Sequence, residues 1–181
     1  MAKTELVRRA RDGDRDAYDI LVTQSVDAMY RIARLILRDY DRASDAVQEA
    51  LVRCWRDLPQ LRDPERFDAW LHRILLRAVT EEARKRRRDR MALAVLTIGS
   101  QPDSSGSLAD RDELARVFGR LSVEHRTIVV LHHYLGMTAD QAASTIGIPV
   151  GTARSRLHYA TEALRAALDA DARAAAGRAL A

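Results

Sequence analysis

The sequence predicts an all-α protein made of two small helical domains joined by a flexible linker. Apolar side chains recur along the 181 residues at three- and four-residue steps, the period of a helix with one buried face. Alternating strand patterns are missing, and glycine and proline stand almost only at junctions. A polar stretch rich in glycine, proline and serine divides the chain. The predicted domains are 1–92 and 108–170, with a linker at 93–107 and an alanine-rich tail at 171–181 that frays.

The first domain is predicted to contain four helices. They cover residues 14–25, 26–38, 42–58 and a segment from Phe67 into a basic cluster ending at Arg90. In the third helix the apolar period leaves an outward side open to water or a partner, formed by Asp45, Gln48, Glu49 and Arg56. Phe67 and Trp70 recur among leucines at helical spacing, so we expect both in the core and not stacked on bases.

In the second domain, a helix-turn-helix pattern follows two further helices. Those two helices are predicted over 108–120 and 122–135, the latter capped by Ser122. Thr138 and Gln141 have the spacing of a capping box, which satisfies the free amides at a helix start. Gly147 suits the left-handed position that ends this helix, and Pro149 suits the first turn of the next.

The helix that follows Pro149 has the pattern of a DNA-reading helix. Its buried stripe is predicted to be Ala153, Leu157, Ala160, Leu164 and Leu168. The outward positions near its start, where a recognition helix presents side chains to base edges, are Arg154, Ser155, His158 and Tyr159. The alternative for this segment alone is an ordinary helical hairpin with a solvated arginine face.

Charge is distributed unevenly along the chain. The net charge is +4, and the whole positive excess lies in residues 1–90. Six of the seven residues from Arg84 to Arg90 are basic, a density that attracts a phosphate backbone. A solvated helix end would also favour basic residues, but the cluster is nearly two turns long, more than the dipole explains.

Composition limits the remaining classes of function. With 47% apolar and 31% charged residues and no long apolar run, the sequence is typical of a globular protein that does not insert into a membrane. The first residues lack the apolar core of a signal peptide, so we expect a cytoplasmic protein. Cys54 is the single cysteine and is predicted to be a small buried hydrophobe.

Three motifs stand in a fixed order along the chain. They are DAVQEALVRCW at 45–55, FDAWLHRI at 67–74 ahead of the basic cluster, and GIPVGTARSRL at 147–157. Together they resemble a bacterial RNA polymerase sigma factor of the extracytoplasmic-function (ECF) type, over about residues 10–170. The resemblance implies that the first domain is region 2, which binds core RNA polymerase and captures the minus-10 element. It implies that the second domain is region 4, which reads the minus-35 element.

The resemblance also assigns individual residues. Asp45, Gln48 and Glu49 match the polymerase-facing motif of the family. The loop at 58–66 takes the place that holds a flipped minus-10 base, and single-strand capture requires positive charge beside it. The residues expected to supply that charge are Arg62, Arg66, Arg73, Arg77, Arg84, Lys85, Arg86, Arg87 and Arg88. The residues expected to contact duplex minus-35 DNA are Thr152, Arg154, Ser155, Arg156, His158 and Tyr159.

At four positions this chain departs from the usual residues of the family. Arg77 replaces a usual asparagine, Gln141 a glutamate, Ala142 an isoleucine and Tyr159 a common arginine. The first departure bears on minus-10 readout and the last on the minus-35 preference.

The implied partners are core RNA polymerase, promoter DNA and an anti-sigma protein, with no cofactor. One alternative is a helix-turn-helix regulator that binds an operator as a dimer, which would need a ligand or dimer surface in the first domain. An enzyme is the other alternative, because Glu124, His125, His132 and His133 lie close in sequence. Adjacent histidines cannot share one helix face, and no metal-binding spacing occurs, so we expect neither catalytic nor metal-ligating residues.

Overall fold

The computed structural model describes residues 2–96 and 118–179, which fall into two compact units, Met1–Ser100 and Gln101–Ala181. Within those described ranges every regular element is helical and no strand occurs. The predicted all-α fold class is therefore confirmed.

Four long helices build the first unit. They are α1 (Lys3–Arg11), α2 (Arg15–Leu37), α3 (Tyr40–Asp57) and α4 (Phe67–Leu96), with 3₁₀ turns at Leu58–Gln60 and Pro64–Arg66 between the last two. The predicted break between residues 25 and 26 is wrong, because α2 is one continuous helix. Ser25 lies buried inside it, and a single serine without a neighbouring glycine or proline is too weak a signal to end a helix. Helix α1 was not predicted.

The core of the first unit lies where α2 packs against α1, α3 and α4. The apolar period predicts five inward side chains on α2, and all are buried, namely Met29, Ile32, Ala33, Ile36 and Leu37. On α3 the same period predicts Ala46, Val47, Ala50, Leu51 and Cys54, all of which are buried except the half-buried Leu51. Phe67 is 3% exposed, as a core residue should be, while Trp70 is half-buried. This packing fixes the direction in which the polar faces of α3 and α4 point.

The second unit contains the helix-turn-helix. Its helices are α5 (Val123–Val129), α6 (Ala139–Ile146) and α7 (Val150–Ala179), with a π-type turn at Val130–Tyr134 after α5. The predicted helix at 122–135 is confirmed apart from this widened turn. The predicted helix at 108–120 lies outside the described residues except for 118–120, which are helical.

Two predicted boundaries differ from the observed helices. Helix α4 continues to Leu96, so the boundary at residue 92 falls inside a helix. The rest of the predicted linker lies outside the described residues. The tail was expected to fray, but α7 stays helical to Ala179. Alanine has the highest helix propensity of all residues, which favours continuation of the helix through this segment.

Candidate nucleic-acid interfaces

Arginines on α4 form a stripe along one side of the helix. At about 100° per residue, Arg73, Arg77, Arg84 and Arg88 fall within about 60° of one another around the axis. All four are exposed, and none forms an ion pair with another residue in the part of the chain described. The stripe is roughly 22 Å long at 1.5 Å per residue. Arg87 is exposed beside it.

Two other basic residues of the cluster point away from this arginine stripe. Arg86 Nη1 lies 4.0 Å from Asp39 Oδ2 and Lys85 Nζ lies 3.9 Å from Glu82 Oε2. Arg42 joins the same acids, because its Nη1 donates to Glu82 Oε1 at 2.7 Å. Lys85 and Arg86 thus lie close to two acids, Glu82 of α4 and Asp39 just before α3. The structure places seven of the nine predicted minus-10 residues on α4, in more than one direction, and the other two on the loop before it.

The loop between α3 and α4 is held by two buried leucines, Leu58 and Leu61. Asp63 Oδ1 accepts a hydrogen bond from the Glu65 amide at 3.0 Å, and Asp63 Oδ2 lies 3.2 Å from Arg66 Nε. Arg62 and Arg66 are both exposed on this loop. The loop therefore presents two predicted site residues from a fixed backbone.

An outward face of α3 carries the predicted polymerase-facing residues. Asp45, Gln48 and Glu49 are all exposed, as their period indicated. Val52 lies one further turn along the same face and is 63% exposed. Sequence reasoning missed Val52, although its seven-residue spacing from Asp45 places both on one side.

Arg53 links this face to α4. Its Nε donates to Glu49 Oε1 at 2.7 Å and its Nη2 donates to Glu81 Oε2 at 2.6 Å. Hydrogen bonds to the two carboxylates raise the pKa of Arg53, and the bond from Arg53 lowers the pKa of Glu81. Glu81 lies beside the arginine stripe, so Arg53 offsets an acid that would otherwise oppose it.

The turn of the helix-turn-helix has the predicted local chemistry. The Gln141 amide donates to Thr138 Oγ1 at 3.2 Å and the Thr138 amide donates to Gln141 Oε1 at 2.8 Å, which confirms the capping box. Gly147 has a φ of 79°, the left-handed conformation predicted for it. Pro149 was predicted in the first turn of α7, but it precedes the helix and its carbonyl accepts from Ala153 at 3.1 Å.

The outward side of α7 carries most of the predicted base-reading residues. Arg154, Ser155, His158 and Tyr159 are exposed. Arg154 Nη2 donates to Asp140 Oδ1 of α6 at 3.0 Å, a contact that the sequence pattern did not indicate. Ser155 Oγ donates to the Thr152 carbonyl at 3.0 Å. The Thr152 side chain itself is half-buried.

Arg156 does not share the direction of Arg154. About 160° separates the two around the helix axis. Arg156 is half-buried. A backbone hydrogen bond is the main cause of the lowered pKa of Glu124, and the charge of Arg156 lowers that pKa further. The two arginines therefore flank opposite edges of the outward face.

The buried stripe of α7 is shorter than predicted. Ala153 and Ala160 are fully buried, Leu157 and Leu164 are half-buried, and Leu168 is 38% exposed. Leu168 was predicted to be buried and is not, because α7 extends beyond the short helices α5 and α6 that pack against its beginning.

His132 and His133 contact the protein backbone and each other. A ring nitrogen of His132, Nδ1, lies 2.7 Å from the Met137 carbonyl, and the His132 and His133 rings meet edge to face at 4.7 Å. Among residues 2–96 and 118–179, no three acidic, histidine or cysteine side chains are grouped so as to hold a metal ion. No helix in the same ranges is long and apolar enough to cross a membrane.

Family models match both units of the chain. The model described as Sigma-70 region 2 matches residues 21–89, and that described as Sigma-70, region 4 matches residues 111–164. Among curated relatives, the RNA polymerase sigma-E factor of Streptomyces avermitilis is 35% identical over 151 residues, which are 82% of this chain and 84% of the relative. The ECF RNA polymerase sigma factor SigL of Mycobacterium tuberculosis is 33% identical over 153 residues, with 82% and 86% covered.

Two solved structures are also similar to this chain. One is CnrH in complex with the cytosolic domain of CnrY, with 30% identity, a TM-score of 0.67, and coverage of 94% of this chain and 99% of that one. The other is the sigma factor RpoE in complex with the anti-sigma factor NepR from Bartonella quintana. It has 25% identity, a TM-score of 0.67, and coverage of 85% and 98%.

Proposed function

Since the chain belongs to the sigma-70 family as an ECF sigma factor that directs core RNA polymerase to specific promoters, we propose which of its surfaces performs each step. The arginine stripe of α4 grips the single-stranded minus-10 element, the outward face of α3 binds core polymerase, and the outward side of α7 reads the minus-35 element. The observation that carries this proposal is the arginine stripe, which forms no ion pair with the described residues, while Lys85 and Arg86 lie beside acids.

Single-strand capture is the step that the arginine stripe suits. A strand without a duplex groove is held by positive charge along its backbone and by pockets for unpaired bases. Arg73, Arg77, Arg84 and Arg88 supply charge along about 22 Å of one helix edge. Arg62 and Arg66 extend the charge onto the loop before α4, where the family holds a flipped base. Lys85 and Arg86 are less suited to DNA, since they lie off the stripe and next to acids.

Polymerase binding is proposed for Asp45, Gln48 and Glu49, with the exposed Val52 one turn further along the same face. Burying the valine would add apolar area beside these polar groups. Glu49 is already held by Arg53, so its carboxylate is oriented before the partner arrives. Such preorganisation lowers the entropy cost of association.

Duplex minus-35 recognition is proposed for Arg154, Ser155, His158 and Tyr159. They are exposed in the first turns of α7, which is the part of a recognition helix that reaches base edges. Arg156 and Thr152 lie at the edges of this surface and are better placed for phosphates than for bases. An operator-binding regulator would use the same helix, but the match to region 2 accounts for the first unit and favours the sigma factor.

We propose that an anti-sigma protein regulates this chain, because two solved relatives are bound to CnrY and NepR. A partner that covers the Asp45, Gln48 and Glu49 face would exclude polymerase without changing the fold. We infer that the protein acts in the cytoplasm, together with RNA polymerase.

Reconstituted transcription tests the proposal. Purified chain is mixed with core polymerase, and transcripts from a promoter library are counted with and without the chain. Gln48→Ala with Glu49→Ala should weaken association with core polymerase, while Gln24→Ala with Asp27→Ala, a matched change on exposed α2 positions, should not. Equal affinities of the two variants for core polymerase would remove the assignment of the α3 face.

A further inference from the structure

An ion pair crosses the turn of the helix-turn-helix. Asp140, in the first turn of α6, accepts a hydrogen bond through Oδ1 from Arg154 Nη2 of α7 at 3.0 Å. Both side chains are exposed, at 61% and 66%. We propose that Asp140 is a positioning residue that fixes the orientation of Arg154 for base recognition. This inference rests on the proposed assignment of Arg154 to the minus-35 element.

The backbone around Asp140 is held in place by the capping box. Thr138 and Gln141 satisfy each other's amides on either side of it, and Gly147 sets the angle at which α7 follows. The carboxylate therefore starts from a fixed point relative to the start of α7. It also carries the charge that the amino end of a helix favours.

Arginine reads guanine through two parallel donors in one plane, so the direction of that plane decides whether the contact forms. A solvated arginine has many rotamers and loses side-chain entropy when it is fixed. Asp140 uses one donor at Nη2 and leaves the other guanidinium donors available. The bond to Asp140 thus restricts the plane before DNA arrives, which is preorganisation of a specific contact.

Stability of the fold does not account for this pair. Exposed ion pairs contribute little to stability, and the turn is already determined by its cap and glycine. A carboxylate beside the DNA surface also repels phosphates of every sequence. The expected benefit of Asp140 is therefore discrimination between sequences, obtained at the expense of total affinity.

Removal of Asp140 should change affinity and discrimination in opposite directions. Holoenzyme made with the full chain is bound to a promoter library randomised across the minus-35 element, and bound and unbound fractions are sequenced. For Asp140→Ala we expect the preference between the best and the mismatched base at one position to fall about two- to fivefold, no more than an exposed ion pair can contribute. Binding to mismatched sites should stay equal or become tighter.

Two further variants separate orientation from charge. Asp140→Glu keeps the carboxylate and should restore part of the preference, while Asp140→Asn keeps the shape without the charge and should restore less. In an Arg154→Ala background, Asp140→Ala should cause no further loss of preference. Circular dichroism on each variant checks that the helices remain folded.

Two results would overturn the inference, and they are distinguishable. If Arg154→Ala lowers the preference while Asp140→Ala raises binding to all sequences equally, Asp140 is only a surface acid and the assignment of Arg154 stands. If Arg154→Ala itself leaves the preference unchanged, the proposed base contact fails, and the role of Asp140 fails with it.

Discussion

The arginine stripe of α4 predicts that two neighbouring pairs of basic residues differ in their contribution to DNA affinity. Arg84→Ala with Arg88→Ala removes two charges from the stripe. Lys85→Ala with Arg86→Ala removes two charges that lie beside acids on the same helix, so it is a matched control. We expect the first variant to lose affinity for single-stranded minus-10 DNA with a reduced salt dependence, and the second to change little.

The expected magnitude follows from counterion release. Each phosphate contact on a single strand contributes about 0.7 to the slope of log affinity against log salt concentration. Loss of two contacts should lower that slope by about 1.4. Between 50 and 200 mM salt, the affinity of the wild-type protein should therefore fall about sevenfold more than that of the stripe variant.

The assay uses holoenzyme and a forked probe in which the minus-10 non-template strand is unpaired. Affinity is measured by fluorescence anisotropy at several potassium chloride concentrations. Both variants change the net charge equally, so any long-range effect on DNA is the same for the two. Equal slopes for the two variants would refute the reasoning, because they would show that the direction of these side chains is irrelevant.

Three smaller predictions follow from local contacts. Replacing both Thr138 and Gln141 by alanine should destabilise α6 by about 1 kcal/mol, seen as faster hydrogen exchange of its amides in the full chain. Arg53→Ala should raise the pKa of Glu81, which NMR titration would measure. Because the folded protein lowers this pKa, ionised Glu81 stabilises the fold at pH values above the ordinary glutamate pKa. That stabilisation is lost as the pH falls through the pKa of the folded protein. Burial raises the pKa of Cys54 to about 12, so Ellman's reagent should react with it only after urea is added.

Much of the helical fold was predictable because the apolar period and the caps are local signals. The inward residues of α2 and the capping box before α6 lie where spacing alone placed them. Helix α1 escaped prediction because it is nine residues long, and its packing against α2 is a tertiary effect. The false break in α2 fell at Ser25, in a polar stretch of the sequence. Tertiary packing buries Ser25 inside a continuous helix.

The candidate sites were predictable by composition and helical period, but not in their ion pairs. The basic cluster is plain in the sequence, and the period separates Arg84 from Arg86, yet the acid that pairs with Arg86 lies outside α4. Likewise, Arg154 was predicted as an outward residue, but its partner Asp140 belongs to the helix before the turn. Such pairs form between elements, so no single-helix period reveals them.

The distribution of acids explains how a chain with a small net charge can still bind DNA. Asp39 and Glu82 lie within 4.0 Å of Arg86 and Lys85 at the back of the basic cluster, and the arginine stripe carries positive charge on another side. Four stripe contacts give a salt slope of only about 2.8, or about 4.2 with Arg62 and Arg66. We therefore expect specific binding to need both units on one promoter. If both units are attached to core polymerase, binding of one unit to the promoter makes the binding of the other unit intramolecular.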